Sequence, residues 1–117
     1  MVSASEYLAI MKTIPIKQRS VIKESRTFKI YLPSEYDDLW SYLHANKKRV
    51  DIIVFLPRTG DCNMPEIMKF IDKIVMKNRR IVKERMRYKI YLSKKLNDVW
   101  KYVHDSRLKI DVIVITY

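Results

Sequence analysis

Apolar residues recur at helical spacing once in each half of the chain. The first set is Tyr36, Leu39, Trp40 and Leu43, and the second is Leu96, Val99, Trp100 and Val103. Positions i, i+3, i+4 and i+7 lie on one side of a helix, so each set predicts an amphipathic helix with its tryptophan in the core. The first helix is expected to begin near Pro33 or Ser34, because acidic residues follow there and suit the positive end of a helix dipole.

Extended segments are expected before and after these helices. Residues 50–56 and 110–117 are apolar runs rich in β-branched side chains, which predict central strands buried on both faces. Residues 14–32 and 75–92 are longer extended segments, each bent or paired in its middle. One more helix is predicted at the start of each half, over residues 5–12 and from Pro65 onward. The second of these carries Ile67, Phe70, Ile71 and Ile74 at helical spacing.

The two halves repeat each other at a constant offset of 60 residues, without a gap. Lys29-Ile30-Tyr31-Leu32 recurs intact as Lys89-Ile90-Tyr91-Leu92, and Asp38, Trp40, Tyr42 and His44 recur as Asp98, Trp100, Tyr102 and His104. We therefore expect repeat units at residues 1–57 and 61–117, joined at residues 58–60. A unit of this length alone would bury a marginal core. The prediction is one α+β domain in which two units of about 57 residues (helix, strand or strands, helix, strand) share a core with pseudo-twofold symmetry.

The chain is strongly basic, with a net charge of +11 on 117 residues. The charge is uneven, at +3 for residues 1–57 and +7 for residues 61–117. Such a surplus favours nucleic acid, an anionic membrane surface or an acidic protein as partner. A single cysteine, Cys62, excludes an intrachain disulfide. With neither a signal-peptide pattern nor a long apolar run, the expectation is a cytoplasmic protein without a membrane partner.

Cations alternate along the second extended segment. The predicted nucleic-acid-binding residues are Lys77, Arg79, Lys83, Arg85, Arg87, Lys89 and Tyr91, with the weaker row Lys17, Arg19, Lys23, Lys29 and Tyr31 in the first half. Residues two apart lie on one face of a strand, and a cationic strand face can enter a DNA groove. The tyrosines suit stacking on bases. The alternative is a solvated sheet face, or an edge strand protected by lysines.

The remaining polar residues carry weaker signals for chemistry. His44 and His104 are expected at helix C-termini, where a cationic ring suits the dipole, and further ligands for a metal are absent from their surroundings. The repeated acidic pairs Asp38/Asp98 and Asp51/Asp111 are interpreted as helix-start residues and ion-pair partners. Glycine-rich phosphate loops and familiar catalytic motifs are missing. The prediction is therefore a protein without enzymatic activity, catalytic residues, cofactor or metal.

The order of elements between residues 26 and 54 resembles a known family. An extended segment ends in Lys29-Ile30-Tyr31-Leu32-Pro33, a helix follows, and Val50-Asp51-Ile52-Ile53-Val54 comes next. This order is similar to that of the AbrB-type swapped-hairpin regulators. The resemblance implies a dimeric, β-rich, DNA-binding fold in which the duplication supplies both halves. The second half departs from it, because Ser93 stands in the place of Pro33.

Two other folds stay open at this stage. Ribbon-helix-helix regulators also carry a cationic strand before a helix, but they need a helix where residues 110–117 predict a strand. Two β-α-β units in a ferredoxin-like sheet need no relative, and would suit RNA. The function expected from the sequence is duplex DNA binding by a transcriptional regulator or accessory factor, with a further homodimer open. The alternatives are a module that docks on an acidic protein and a binder of RNA or single strands.

Overall fold

The computed structural model describes residues 13–116 and has an α+β fold. The first half contains β1 (Thr13–Ser20), β2 (Ile22–Glu24), β3 (Thr27–Tyr31), α1 (Asp37–Ala45) and β4 (Arg49–Phe55). The second half contains β5 (Lys73–Arg80), β6 (Val82–Glu84), β7 (Arg87–Tyr91), α2 (Asn97–Asp105) and β8 (Lys109–Ile115). Short 3-10 turns cover Ser34–Tyr36, Glu66–Lys69 and Lys94–Leu96.

The strands form two four-stranded antiparallel sheets. Sheet 1 has the order β1-β8-β4-β5, and sheet 2 has the order β2-β3-β7-β6. At the centre of sheet 1 Ile53 pairs with Ile113, and at the centre of sheet 2 Ile30 pairs with Ile90. Each sheet therefore joins strands from both halves of the chain, and the buried apolar residues of both halves form one hydrophobic cluster.

The two predicted amphipathic helices are confirmed as α1 and α2. Trp40 and Trp100 are completely buried in them, as their spacing predicts. Each indole also has a polar partner, because Nε1 of Trp40 donates to the carbonyl oxygen of Pro33 at 2.9 Å and Nε1 of Trp100 donates to that of Ser93 at 2.9 Å. Burying a tryptophan with its N–H satisfied avoids the cost of an unpaired polar group.

Residues with positive φ lie at the bulges and hairpin turns of the long extended segments. Gln18 and Asn78, at φ 57° and 55°, lie at bulges in β1 and β5. At the bulges Asp111 Oδ1 accepts a hydrogen bond from the Gln18 backbone N–H and Asp51 Oδ1 accepts one from that of Asn78, each at 2.9 Å. The two hairpins β2–β3 and β6–β7 then turn through the dipeptides that begin at Ser25 and Arg85, whose φ is 56°.

Three expectations require correction. The helix predicted from Pro65 is only the 3-10 turn Glu66–Lys69, and Ile74 belongs to β5. Ile53 on β4 and Ile113 on β8 are half-buried rather than buried, so the two central strands are less buried on this face than predicted. Their alternate residues point into the core, while these two lie on the outer face of sheet 1. The helix predicted over residues 5–12 lies outside the described residues.

None of the helices within residues 13–116 is long and apolar enough to cross a membrane.

Candidate nucleic-acid interface

The structure does not gather the predicted cation row on one strand face. Its residues fall on β5 in sheet 1, on β6 and β7 in sheet 2, and on the turn between those two strands. The corresponding row of the first half is divided in the same way among β1, β2 and β3. A period of two places residues on one face only while the strand continues, so the bulges and turns remove the common face.

Lys29 and Lys89, both predicted to contact nucleic acid, are instead buried in an ion-pair network on sheet 2. Only 4% of Lys29 and 5% of Lys89 is exposed. Oε1 of Glu24 lies 2.6 Å from Nζ of Lys29 and 3.1 Å from Nζ of Lys89. Oε1 of Glu84 lies 2.7 Å from Nζ of Lys89 and 3.1 Å from Nζ of Lys29. Each ammonium group thus contacts both carboxylates, so neither lysine is a free cation.

The predicted tyrosines complete the same network. Tyr31 donates its hydroxyl to Oε2 of Glu84 at 2.6 Å, and Tyr91 donates to Oε2 of Glu24. One ring face of Tyr31 is also covered by the guanidinium of Arg87, 3.4 Å from the ring centroid. Both tyrosines are half-buried. Their hydrogen bonds and the covered ring make them poor platforms for stacking on bases.

The network holds its charges strongly. Hydrogen bonds from Lys29, Tyr91 and Lys89 lower the pKa of Glu24 from 4.5 to about 2. Hydrogen bonds from Lys89, Tyr31 and Lys29 lower the pKa of Glu84 to about 2 in the same way. Burial alone would lower the pKa of Lys89, but its hydrogen bonds to Glu84, Tyr91 and Glu24 outweigh burial and raise it. The two glutamates and the two lysines of the network therefore stay ionised at neutral pH.

The other predicted residues are spread over the surface. Lys17 and Lys77 are exposed on the outer face of sheet 1, and Arg19 and Arg79 are half-buried just beyond the bulges. Lys23 and Lys83 are exposed on the short strands β2 and β6, and Arg85 is exposed in a turn. Of the predicted residues, only Lys83 lines the cavity of about 780 Å³ at the end of α1.

That cavity, called here the first basic cleft, lies between the end of α1 and the corner that joins β5 to β6. It has a volume of about 780 Å³, and its lining residues are His44, Ala45, Lys47, Lys48, Arg49, Arg80, Ile81, Val82 and Lys83. The lining contains five Lys or Arg residues, all exposed, and no Asp or Glu. Among the described residues, no carboxylate lies within ion-pair distance of these five cations.

The end of α1 fixes the position of the first two cations. The backbone N–H of Lys48 donates to the Leu43 carbonyl at 2.9 Å, and that of Lys47 donates to the His44 carbonyl at 3.1 Å, with φ of Lys47 at 52°. This pair of bonds is a Schellman motif, which caps the last helical carbonyls. It places lysines beside the negative end of the helix dipole, which stabilises them there.

Strand pairing brings the remaining cations to the same corner. Arg49 at the start of β4 pairs with Arg80 at the end of β5. Nη1 of Arg49 donates to the Asn78 carbonyl at 3.1 Å, so the bulge also orients its guanidinium. Nζ of Lys83 lies 6.0 Å from the centroid of the Tyr88 ring, at the edge of cation–π range. The cleft therefore presents cations from a helix end and three strands toward one space.

A second, weaker basic cleft lies at the opposite end of sheet 1. Its volume is about 300 Å³, and its lining residues are Ser20, Val21, His104, Arg107, Leu108 and Lys109. The ends are opposite because β4 and β8 are antiparallel, so that their first residues, Arg49 and Lys109, lie far apart. Every residue that lines this second cleft is 60 positions from a residue that lines the first cleft. At two of these positions the second cleft lacks a cation, because it has Ser20 in place of Arg80 and Leu108 in place of Lys48.

Each histidine lies beside an aromatic ring. The ring centroid of His44 lies 6.0 Å from that of Tyr88, and that of His104 lies 6.0 Å from that of Phe28. No group of three potential metal ligands occurs among the described residues.

The sequence-based site missed Lys47, Lys48, Arg49 and Arg80. Two signals were present, namely the run of three cations directly after a predicted helix and the adjacent pair of arginines at positions 79 and 80. Cationic residues that are adjacent in the sequence indicate a surface that a polyanion can neutralise, even when they do not follow the alternating pattern of a strand face.

Comparison with protein-family models, curated proteins and solved structures gave no match to this chain.

Proposed function

We propose that this protein is a non-enzymatic nucleic-acid-binding protein that holds duplex DNA at the first basic cleft. The observation that carries the proposal is the convergence of five exposed cations in a lining without carboxylates. Like charges held together repel each other, and a phosphate backbone relieves that repulsion while releasing its own counterions. Phosphate contacts of this kind position a protein on DNA without reading its sequence.

The arrangement of aromatic side chains favours a duplex over single strands. Binders of single strands stack bases on exposed aromatic rings beside a basic groove. Here Tyr31 and Tyr91 donate their hydroxyls to glutamates, and the two tryptophans are buried. The exposed phenylalanines, Phe55 and Phe70, are not among the residues that line either cleft. Contacts to the phosphates of a duplex therefore fit the lining better than stacking does.

We also propose that the chain is a tandem duplication with an approximate twofold axis, and that each half supplies one cleft. In support, each strand and helix between residues 13 and 55 has a counterpart 60 residues later. Exchanging each strand for its counterpart leaves the strand order of both sheets unchanged. A protein with two clefts suits the role of a transcriptional regulator or accessory factor. The similarity to AbrB-type regulators stays a prediction.

The proposal is tested by measuring affinity for duplex DNA, single-stranded DNA and RNA of equal length over a range of salt concentrations. A variant in which Lys47, Lys48, Arg80 and Lys83 are all replaced by Gln removes most of the cleft charge. The matched control replaces Arg26, Lys69, Lys94 and Lys95 by Gln, because these four exposed cations do not line the first cleft. Both variants lose the same net charge, so general attraction to a polyanion falls equally in both.

The expected result is that the wild type binds duplex DNA most tightly. In the cleft variant, the slope of log affinity against log salt should flatten by roughly 0.9 for each phosphate that the protein no longer neutralises. The control variant should retain most of its affinity and slope. Equal losses in the two variants would mean that the charge acts without a defined site. Tighter binding of RNA or single-stranded DNA than of the duplex would reject the duplex as the target.

A further inference from the structure

The outer face of sheet 1 is apolar across its centre. Pro15, Ile113, Ile53 and Val75 form one row over all four strands, since each pairs with the next in the sheet register. Phe55 and Ile115 extend this row on its two sides, because they lie two residues from Ile53 and Ile113 along the same strands. The solvated face of an antiparallel sheet normally carries polar residues. This one carries six neighbouring apolar residues instead.

The described part of the chain leaves this face uncovered at its β5 side. Val75 is 54% exposed and Phe55 is 38% exposed, while the isoleucines of the row are half-buried. Contiguous exposed apolar surface on a soluble protein commonly marks a contact with another protein. This face is built on four paired strands that pack against the core. Its backbone is therefore already ordered, and binding would cost little conformational entropy.

Lysines lie around the apolar row, and the two carboxylates on the same face already accept hydrogen bonds. Lys17, Lys73 and Lys77 are exposed on the two edge strands of the same face. The acidic residues of the face, Asp51 and Asp111, accept hydrogen bonds from the backbone at the two bulges. The free charge around the apolar centre is therefore positive, and it lies on both edges of the sheet.

We propose that this face, called here the apolar face, is a docking surface for a protein segment that presents apolar side chains between carboxylates. Apolar side chains would pack on Ile53, Val75 and Phe55, and carboxylates would pair with Lys17, Lys73 and Lys77. A second copy of this chain is disfavoured by charge, because each copy would bring the same three lysines and a net charge of +11. The proposal is independent of nucleic-acid binding, since none of these residues lines the first basic cleft.

The test uses a short synthetic peptide in which glutamate alternates with isoleucine and phenylalanine, titrated into the full chain. Two matched peptides carry lysine for glutamate, or serine for the apolar residues. Backbone amide shifts in NMR spectra show where the peptide binds. Val75→Glu places a repelling charge on the apolar face, and Met86→Glu serves as its control, since Met86 is 86% exposed in the turn between β6 and β7.

The acidic apolar peptide should bind and shift the amides of β4, β5 and β8, and neither matched peptide should bind comparably. Val75→Glu should weaken this binding by roughly tenfold or more, because a like charge then meets the carboxylates, while Met86→Glu should change it less than about twofold. Three results would overturn the proposal. They are shifts confined to the basic clefts, a wild-type dimer in sedimentation that Val75→Glu converts to monomer, and nuclear Overhauser effects from residues 2–12 to Val75 in the free protein.

Discussion

Lys29 and Lys89 share the same two carboxylates, those of Glu24 and Glu84, at four Nζ–Oε1 distances between 2.6 and 3.1 Å. They lie on β3 and β7, the central strands of sheet 2, where Lys29 pairs with Tyr91 and Lys89 pairs with Tyr31. Removing one partner from a buried pair leaves the other charge without compensation. The network therefore connects the two halves of the chain by charge as well as by strand pairing.

Acid should weaken the folded state through this network. In the folded chain the pKa of Glu24 and Glu84 is about 2, against an ordinary value of 4.5. Folding therefore favours the ionised carboxylates, and their contribution is present above about pH 4.5 and is lost as the pH falls toward 2. Thermal melting points measured from pH 7 to pH 2 should fall mainly in this window. The double variant Glu24→Gln, Glu84→Gln should melt lower at pH 7 and show a flatter dependence on pH.

The single variants provide a sharper check on the shared geometry. In Glu24→Gln, the remaining carboxylate of Glu84 still contacts both lysines, so the double variant should lose more stability than the two single variants together. Glu35→Gln is the control, because Glu35 is exposed and lies outside the network. Additive losses, or an equally flattened pH dependence in the control, would show that the network is not a unit.

The tryptophans should contribute about equally to stability. Both are fully buried, and each donates its indole N–H to a carbonyl oxygen at 2.9 Å. Replacing Trp40 or Trp100 by alanine should lower the free energy of unfolding by about 3–5 kcal/mol in either case. Urea denaturation of the two variants measures this. A loss below about 1 kcal/mol at one position would show that its helix contributes little to the core.

The sequence predicted the helices because packing and local pattern agree there. Leu39, Leu43, Val99 and Val103 are buried, as their helical spacing requires. The sequence also predicts that the extended segments are bent or paired in the middle, but it carries no comparable signal for where they break. Positive φ normally selects Gly or Asn, but the chain uses Gln18, Ser25, Lys47, Arg85 and Arg107 at such positions, together with Asn78. At Gln18 the backbone N–H donates to Asp111, so a hydrogen bond between residues 93 positions apart supports this conformation.

The predicted site differed from the observed clefts for the same reason. An alternating pattern placed Lys89 among exposed cations, whereas sheet 2 pairs it with two glutamates. The partner Glu24 comes from the other half of the chain, so local sequence could not reveal it. The first basic cleft likewise depends on the pairing of Arg49 with Arg80, which are 31 positions apart. Charge composition predicted a basic surface, but only the register of the strands determines its location.

Glycine in the first hairpin turn should stabilise the fold. Ser25 has a φ of 56° in the two-residue turn between β2 and β3, which is an unfavourable conformation for a residue with a Cβ. Ser25→Gly should raise the free energy of unfolding by about 1 kcal/mol, because the left-handed conformation costs glycine little. Arg26→Gly is the control, since Arg26 is not among the residues with positive φ and should gain nothing. Chemical denaturation that ranks the two variants in the opposite order would contradict the strain.

The two basic clefts differ in two of their cations. The first has Lys48 and Arg80 where the second has Leu108 and Ser20. The variant Lys48→Leu, Arg80→Ser gives the first cleft the residues of the second at these two positions, and should flatten the salt dependence of duplex DNA binding by roughly 0.9 for each of the two cations removed. Adding Ser20→Arg and Leu108→Lys to this variant restores the net charge of +11 but moves the two cations to the other end of sheet 1.

If the fold places each cleft as an equivalent binding surface, this fourfold variant should regain an affinity and salt slope close to those of the wild type. Leu108 is half-buried, so a thermal melt must first show that lysine is tolerated there, with its stem along the apolar surface and its ammonium group in water.

The control for charge alone is Lys94→Leu, Lys95→Ser, which removes two exposed cations outside both clefts. If this control flattens the slope as much as Lys48→Leu, Arg80→Ser does, the clefts have no special role. If only the fourfold variant fails to recover, the first cleft binds DNA through more than its charge, and the second is not its equivalent.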